Sequence, residues 1–146
     1  MDRKDFLRTS CIACMGMAVG ASILPGCAGA KYAKAAREEN GLLVDLSTFT
    51  SGKRSAHRYV IVRDELLQYP VCIYDLGGGQ YSALLMQCSH QGAELTVSGD
   101  QLTCSAHGSS FDKMGKATHK PASKPLRTFP VTVTRGKLFI DLRKQT

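Results

Sequence analysis

The 146-residue chain contains no tryptophan, no internal repeat, no low-complexity block and no apolar run long enough to span a bilayer. Without repeats, a solenoid or propeller is excluded. Without sustained 3.6-residue periodicity beyond the N-terminus, nothing supports long helices. No nucleophile–base arrangement stands out, so the sequence offers no substrate pocket. Acidic residues are missing between Lys113 and Lys137, where seven Lys or Arg occur. Hydrophobic residues make up 43% of the chain, which excludes a disordered protein and leaves enough for one domain with a real core, but not two.

Six cysteines are present, yet their positions give no disulfide framework. Cys11, Cys14 and Cys27 lie in an N-terminal apolar stretch, Cys88 and Cys104 share a motif with histidines, and Cys72 sits alone in a strand-like run, where it reads as a small buried apolar residue.

The chain opens Asp2-Arg3-Lys4-Asp5-Phe6-Leu7-Arg8, followed by an uncharged stretch from Thr9 to Ala30. The more apolar part, Ile12–Leu24, would make a helix of roughly 20 Å, short of the ~30 Å hydrocarbon core, which suits a signal segment. Arg3–Arg8 resembles a twin-arginine export signal with Lys in the second arginine position. Leu24-Pro25-Gly26-Cys27 resembles a bacterial lipoprotein box, with cleavage before Cys27 and a lipid on its sulfur. An uncleaved anchor helix and a plain secretory signal are the other readings, and Pro25 with four glycines counts against the helix. All three imply an exported bacterial protein on the periplasmic side of the membrane. The expected organisation is a signal over 1–26, a tether over 27–40 and a folded domain over 41–146. Extended, the 13 residues after Cys27 would reach roughly 45 Å.

Within the folded part, 41–49 starts the domain with a strand and 55–64 forms another. Val71–Leu76 and Tyr81–Gln87 read as a hairpin turning at Gly77-Gly78-Gly79. A second hairpin turns at Ser98-Gly99-Asp100, and 125–142 gives two closing strands about Arg135-Gly136. The expected fold class is all-β: an antiparallel sandwich or barrel-like domain from which a ligand-bearing part, about 86–124, projects as loops.

That part holds Cys88-x-His90 and Cys104-x-x-His107. Two thiolates and two imidazoles suit tetrahedral zinc, and equally a two-iron, two-sulfide cluster with cysteines on one iron and histidines on the other. Zinc modules more often group Cys with Cys and His with His, whereas here each Cys has its own His.

The surrounding residues resemble the Rieske iron–sulfur family: Cys88-Ser-His90-Gln-Gly92, Cys104-Ser-Ala-His107-Gly108-Ser109-Ser-Phe111-Asp112, then Gly115, Pro121-Ala122 and Pro125-Leu126. The resemblance covers about residues 42–142. It implies one [2Fe-2S] cluster, with Cys88 and Cys104 on the inner iron and His90 and His107 on an outer iron near the surface. Gly92 and Gly108 would let backbone approach the sulfides, and the Pro121 loop would cover the cluster. With neutral imidazoles the oxidised site has no net charge, so an electron is accepted readily, at roughly −150 to +300 mV against about −400 mV for plant-type all-Cys ferredoxins.

Two departures matter. The loop disulfide of cytochrome bc Rieske proteins falls here on Ala93 and Ala106. Ser109 keeps the hydroxyl that donates to a sulfide, whereas Phe111 replaces a tyrosine that donates to a cysteine sulfur. An intermediate potential is expected.

The reading is one-electron transfer, with the chain as the iron–sulfur subunit of a membrane-associated oxidoreductase, including a quinol-oxidising one. The alternatives are a free periplasmic carrier, the small subunit of an arsenite-oxidase-like metalloenzyme, or, remotely, a zinc-binding structural lipoprotein. An oxygenase is disfavoured because the chain lacks room for a mononuclear iron domain. The basic tract stays open between a solvated face, attraction to anionic lipid head groups and a docking surface for an acidic redox partner, with docking the less favoured. Nucleic acid is not expected, and His57 and His119 read as surface residues.

Overall fold

The computed structural model describes residues 29–50 and 58–143. Cys11, Cys14, Cys27, His57 and the export signal lie outside them. The regular structure of the described residues is almost wholly antiparallel strand: β1 Ala35–Glu38, β2 Gly41–Asp45, β3 Tyr59–Val62, β4 Val71–Gly77, β5 Gln80–Leu85, β6 Thr96–Ser98, β7 Gln101–Thr103, β8 Ser110–Asp112, β9 Ala117–His119, β10 Thr128–Phe129, β11 Val131–Thr134 and β12 Lys137–Asp141. A single helical turn, α1 Ser47–Thr50, follows β2. Among the described residues, no helix is long and apolar enough to cross a membrane.

The strands form three four-stranded sheets, ordered β1-β2-β12-β11, β10-β5-β4-β3 and β6-β7-β8-β9. Alternation along the second sheet explains its position. Val60, Val62, Val71, Ile73, Ala83 and Leu85 point to one core, shared with Leu42, Val44, Leu138 and Ile140 of the first sheet. The intervening Ile61, Cys72, Tyr74, Leu84 and Met86 point to the other, shared with Leu95, Leu102, Cys104, Phe111, Ala122 and Leu126 of the ligand-bearing part. Successive side chains of a strand face opposite ways, so a sheet covered on both faces reads as a continuous apolar run. Val71-Cys72-Ile73-Tyr74 is such a run, with every side chain fully buried. Burying each Leu, Ile or Val contributes about 1.5–3 kcal/mol, so both cores depend on this middle sheet.

The predicted hairpins form where expected, at Gly77–Gly79, Ser98–Asp100 and Arg135-Gly136. The stretch read as a tether is different. Ala35–Glu38 pairs with β2 in register Ala35↔Val44 to Glu38↔Gly41. Further upstream, Ile61 N–H donates to the Lys31 carbonyl and Ala33 N–H to the Ile61 carbonyl, both at 2.8 Å. Residues 31–38 therefore belong to the folded body, and 31–33 cap the open edge of β3. The small and charged residues that suggested a leash are those an edge strand tolerates. Arg37 on this edge pairs with Asp64.

Candidate metal centre

The third sheet and its loops carry both Cys–His pairs. Two loops, 88–93 and 104–109, share one backbone frame. Cys88 N–H donates to the Ala93 carbonyl and Cys104 N–H to the Ser109 carbonyl, each at 2.8 Å. Gly92 N–H returns to the Cys88 carbonyl at 2.8 Å, and Gly108 N–H to the Cys104 carbonyl at 2.9 Å. The frame requires a left-handed residue just before its end, where Gly92 has φ 75° and Gly108 φ 80°. Among protein atoms a Cβ at Gly108 would meet nothing within 4 Å, so this backbone angle is the demand the protein itself makes on the position.

Equal frames put the two cysteines in equivalent places, and both are buried at 2% exposure. The histidines sit one position apart on the frame, second after Cys88 and third after Cys104, and both are exposed. Their rings nonetheless meet edge to face, with centroids 5.0 Å apart. The sulfurs also meet, since the Cys88 thiol lies within hydrogen-bonding reach of Cys104. Burial raises the Cys104 thiol pKa, but the His107 and Ala106 backbone N–H groups and Cys88 outweigh it and hold the thiol below its ordinary value. That environment favours a thiolate ligand.

Two buried sulfurs below and two exposed ring nitrogens above are suited to a two-centre group. A closed zinc site would draw all four donors around one point. The donors instead come as a sulfur pair and a nitrogen pair, which fits a [2Fe-2S] cluster held by Cys88, Cys104, His90 and His107.

A third segment closes the site. Ala122 N–H donates to Ser109 Oγ at 3.0 Å, and Ser89 Oγ donates to the Lys124 carbonyl at 2.6 Å. The proline loop is thereby bonded to both ligand loops. Ala93 and Ala106 leave no disulfide to join them, and the described cysteines, Cys72, Cys88 and Cys104, are all unbridged. Pro121 follows a cis peptide, and Ala122 beneath it is 4% exposed. Ser109 is fully buried and accepts the Ala122 N–H on one lone pair, which leaves the hydroxyl its own hydrogen to donate. Phe111 is fully buried opposite Leu102 and has no polar atom to offer.

The residues flanking the motif were not read from sequence. Ser89 looked like spacer between two ligands, and its loop-joining role depends on Lys124, distant along the chain. Arg127 was counted only as part of a basic run. It lines a cleft of about 300 Å³ beside His90 with Gln87 and Gln91.

A family model for the Rieske [2Fe-2S] domain matches residues 44–130. The chain belongs to that family. The 3-phenylpropionate/cinnamic acid dioxygenase ferredoxin subunit of Escherichia coli (strain K12) is 43% identical over 70 residues, which is 44% of this chain and 66% of that protein. The protein of the same name from Shigella boydii serotype 4 (strain Sb227) is 41% identical over the same span. The match thus spans slightly less than two thirds of these relatives' length. Among solved structures, the cyanobacterial plasma membrane Rieske protein PetC3 from Synechocystis PCC 6803 superposes with TM-score 0.52 at 24% identity, covering 59% of this chain and 88% of that one, a likeness of fold. The Rieske domain implies a [2Fe-2S] cluster on two cysteines and two histidines. When bound, the cluster supplies a site that takes up and releases one electron. The protein buries the sulfur end, exposes the imidazole end and holds Ser109 beneath the covering loop.

Proposed function

We propose that this chain is an exported, membrane-tethered one-electron carrier serving a partner oxidoreductase. The observation that carries it is the exposure of His90 and His107 above a buried cysteine pair. An electron can leave at the imidazole edge, while protein covers the sulfur end. The relatives named ferredoxin subunits favour a carrier over a catalyst. Export and lipid attachment at Cys27 are supported by Arg3–Arg8 and Leu24–Cys27. A quinol-oxidising complex, with His90 or His107 hydrogen-bonded to the quinol, has less in its favour: the relatives are ferredoxin subunits, and Ala93 and Ala106 leave the loops without a disulfide.

The test is anaerobic reconstitution followed by titration. Each chain should take up about two irons and two sulfides, turn red-brown and undergo one-electron reduction. A colourless protein holding one zinc would end the reading. In cells, labelled fatty acid should enter the membrane-bound protein and be lost with Cys27→Ser; unlabelled protein in the cytoplasm would defeat the tethering. Stoichiometric reduction by a quinol would replace the carrier with the quinol-oxidising reading.

A further inference from the structure

The basic tract from Lys113 to Lys137 is not one surface. Strand β8 leaves ligand loop 104–109 and ends at Asp112, so the following turn lies at the far end of the third sheet. There Lys113 approaches Asp100 at 4.0 Å, and the Asp112 carboxylate accepts the Met114 and Lys116 N–H groups, each at 2.9 Å. Arg135 and Lys137 belong to the β11–β12 turn of the first sheet. Strand β9 returns to the ligand end, where Lys120, Lys124 and Arg127 follow.

The ligand end is unbalanced in charge. Segments 86–93, 104–111 and 117–127 contain three cations and no carboxylate. The two acids that flank these segments are engaged elsewhere: Glu94 is paired with Arg63, and Asp112 accepts the Met114 and Lys116 N–H groups of the far-end turn. Lys120 and Lys124 are exposed and make no ion pair among the described residues, and the Lys124 carbonyl is tied to the first ligand loop through Ser89. Arg127 is among the residues lining the cleft at His90; its guanidinium stacks over Phe129 at 4.7 Å and donates to the Leu142 carbonyl at 3.3 Å, contacts that hold it without neutralising it. The exposed neutral residues here include Ser105, Ala106, Gly108, Pro121 and Ser123, side chains short enough for close approach to the imidazoles, and the longer but uncharged Gln91.

We infer that the histidine end is a docking face for an acidic redox protein, whose carboxylates meet Lys120, Lys124 and Arg127 while its redox group faces His90 and His107. This deepens the carrier reading and rests on it. A partner of that charge would be steered to the electron exit, since a charged cleft raises association rates about tenfold to a thousandfold and salt removes the gain. A lipid surface is the other polyanion such a face could meet, but it would cover the very edge through which the electron must pass.

The experiment uses the reconstituted, reduced protein freed of reductant and two ferric haem probes: acidic cytochrome b5 and basic cytochrome c. In each case one electron leaves the reduced protein and converts ferric haem to ferrous. The expected result is that the cytochrome b5 rate falls about tenfold or more from low to physiological salt, while the cytochrome c rate does not fall. Lys120→Glu with Lys124→Glu should cost about tenfold with cytochrome b5 at low salt and favour cytochrome c. Lys113→Glu with Lys116→Glu, at the far end, should leave both rates unchanged. Midpoint potentials measured on each variant separate docking from driving force. Salt-independent rates, or an equal effect from the far-end pair, would overturn the docking face and leave the carrier intact. So would tip-dependent binding to phosphatidylglycerol vesicles with unaltered cytochrome rates. If neither haem is reduced, the carrier reading fails first.

Discussion

Ser109 Oγ accepts the Ala122 N–H at 3.0 Å in a fully buried position, so one hydroxyl holds the covering loop and still has its own hydrogen to donate. Ser109→Ala removes both functions. The unpaired Ala122 N–H should cost about 1–3 kcal/mol in denaturant unfolding. Film voltammetry should show a lower midpoint potential, because a donor to the electron-rich end is gone. Unchanged stability would mean that the loop is held by other contacts.

Phe111→Tyr tests the opposite change. The ring is fully buried against Leu102, and the new hydroxyl has to find a sulfur or remain unpaired. The expected outcome is a raised potential, with a stability cost below about 3 kcal/mol from overpacking. A lowered potential would show that the hydroxyl points elsewhere.

Cluster removal should loosen the site from its loops inward. Without a loop disulfide, two frames and two side-chain hydrogen bonds hold the segments, and ligand bonds would add to them. Chelation under reducing conditions should lower the melting temperature and raise amide exchange at 88–93, 104–109 and 120–124 first. His90→Ala with His107→Ala should lose iron and the visible spectrum together. An unchanged spectrum in that variant would exclude the histidines as ligands.

Cys72 and Tyr74 face the ligand side of the middle sheet. Burial pushes the Cys72 thiol from 9.0 up to about 12 and raises the Tyr74 phenol as well. A raised pKa means that the unfolded state loses the proton more easily. The Cys72 contribution is complete below about pH 9 and is lost as pH climbs toward 12. Alkaline unfolding should therefore begin above pH 9 and be milder in Cys72→Ala, once corrected for that variant's lost packing. Tyr74 Oη has no hydrogen-bond partner at normal geometry, although Cys72 lies nearby on the same face. Tyr74→Phe should thus be neutral or stabilising by about 1 kcal/mol, since no good bond is broken. A loss above that would reveal a phenol–thiol bond.

Much of this arrangement was legible in the chain. Cysteine and histidine at these spacings carry their chemistry with them, and the Gly77–Gly79 and Arg135-Gly136 turns follow from local backbone preference. The layering was harder to see. Val71–Tyr74 announces burial, but only tertiary placement shows that Val71 and Ile73 serve one core while Cys72 and Tyr74 serve another. The division of the basic tract was hidden for a related reason: composition ignores which way β8 and β9 run. The edge pairing of Ala35–Glu38 escaped because short exposed strands have the composition of linkers, and their stability comes from the neighbour they join.

The anchoring of Lys31–Ala33 against Ile61 changes what a lipid on Cys27 would permit. Only residues 28–30 would remain as slack, roughly 10 Å when fully drawn out. Such a protein could not swing between distant stations. It would stand as a fixed post at the bilayer surface, and traffic would have to come to it.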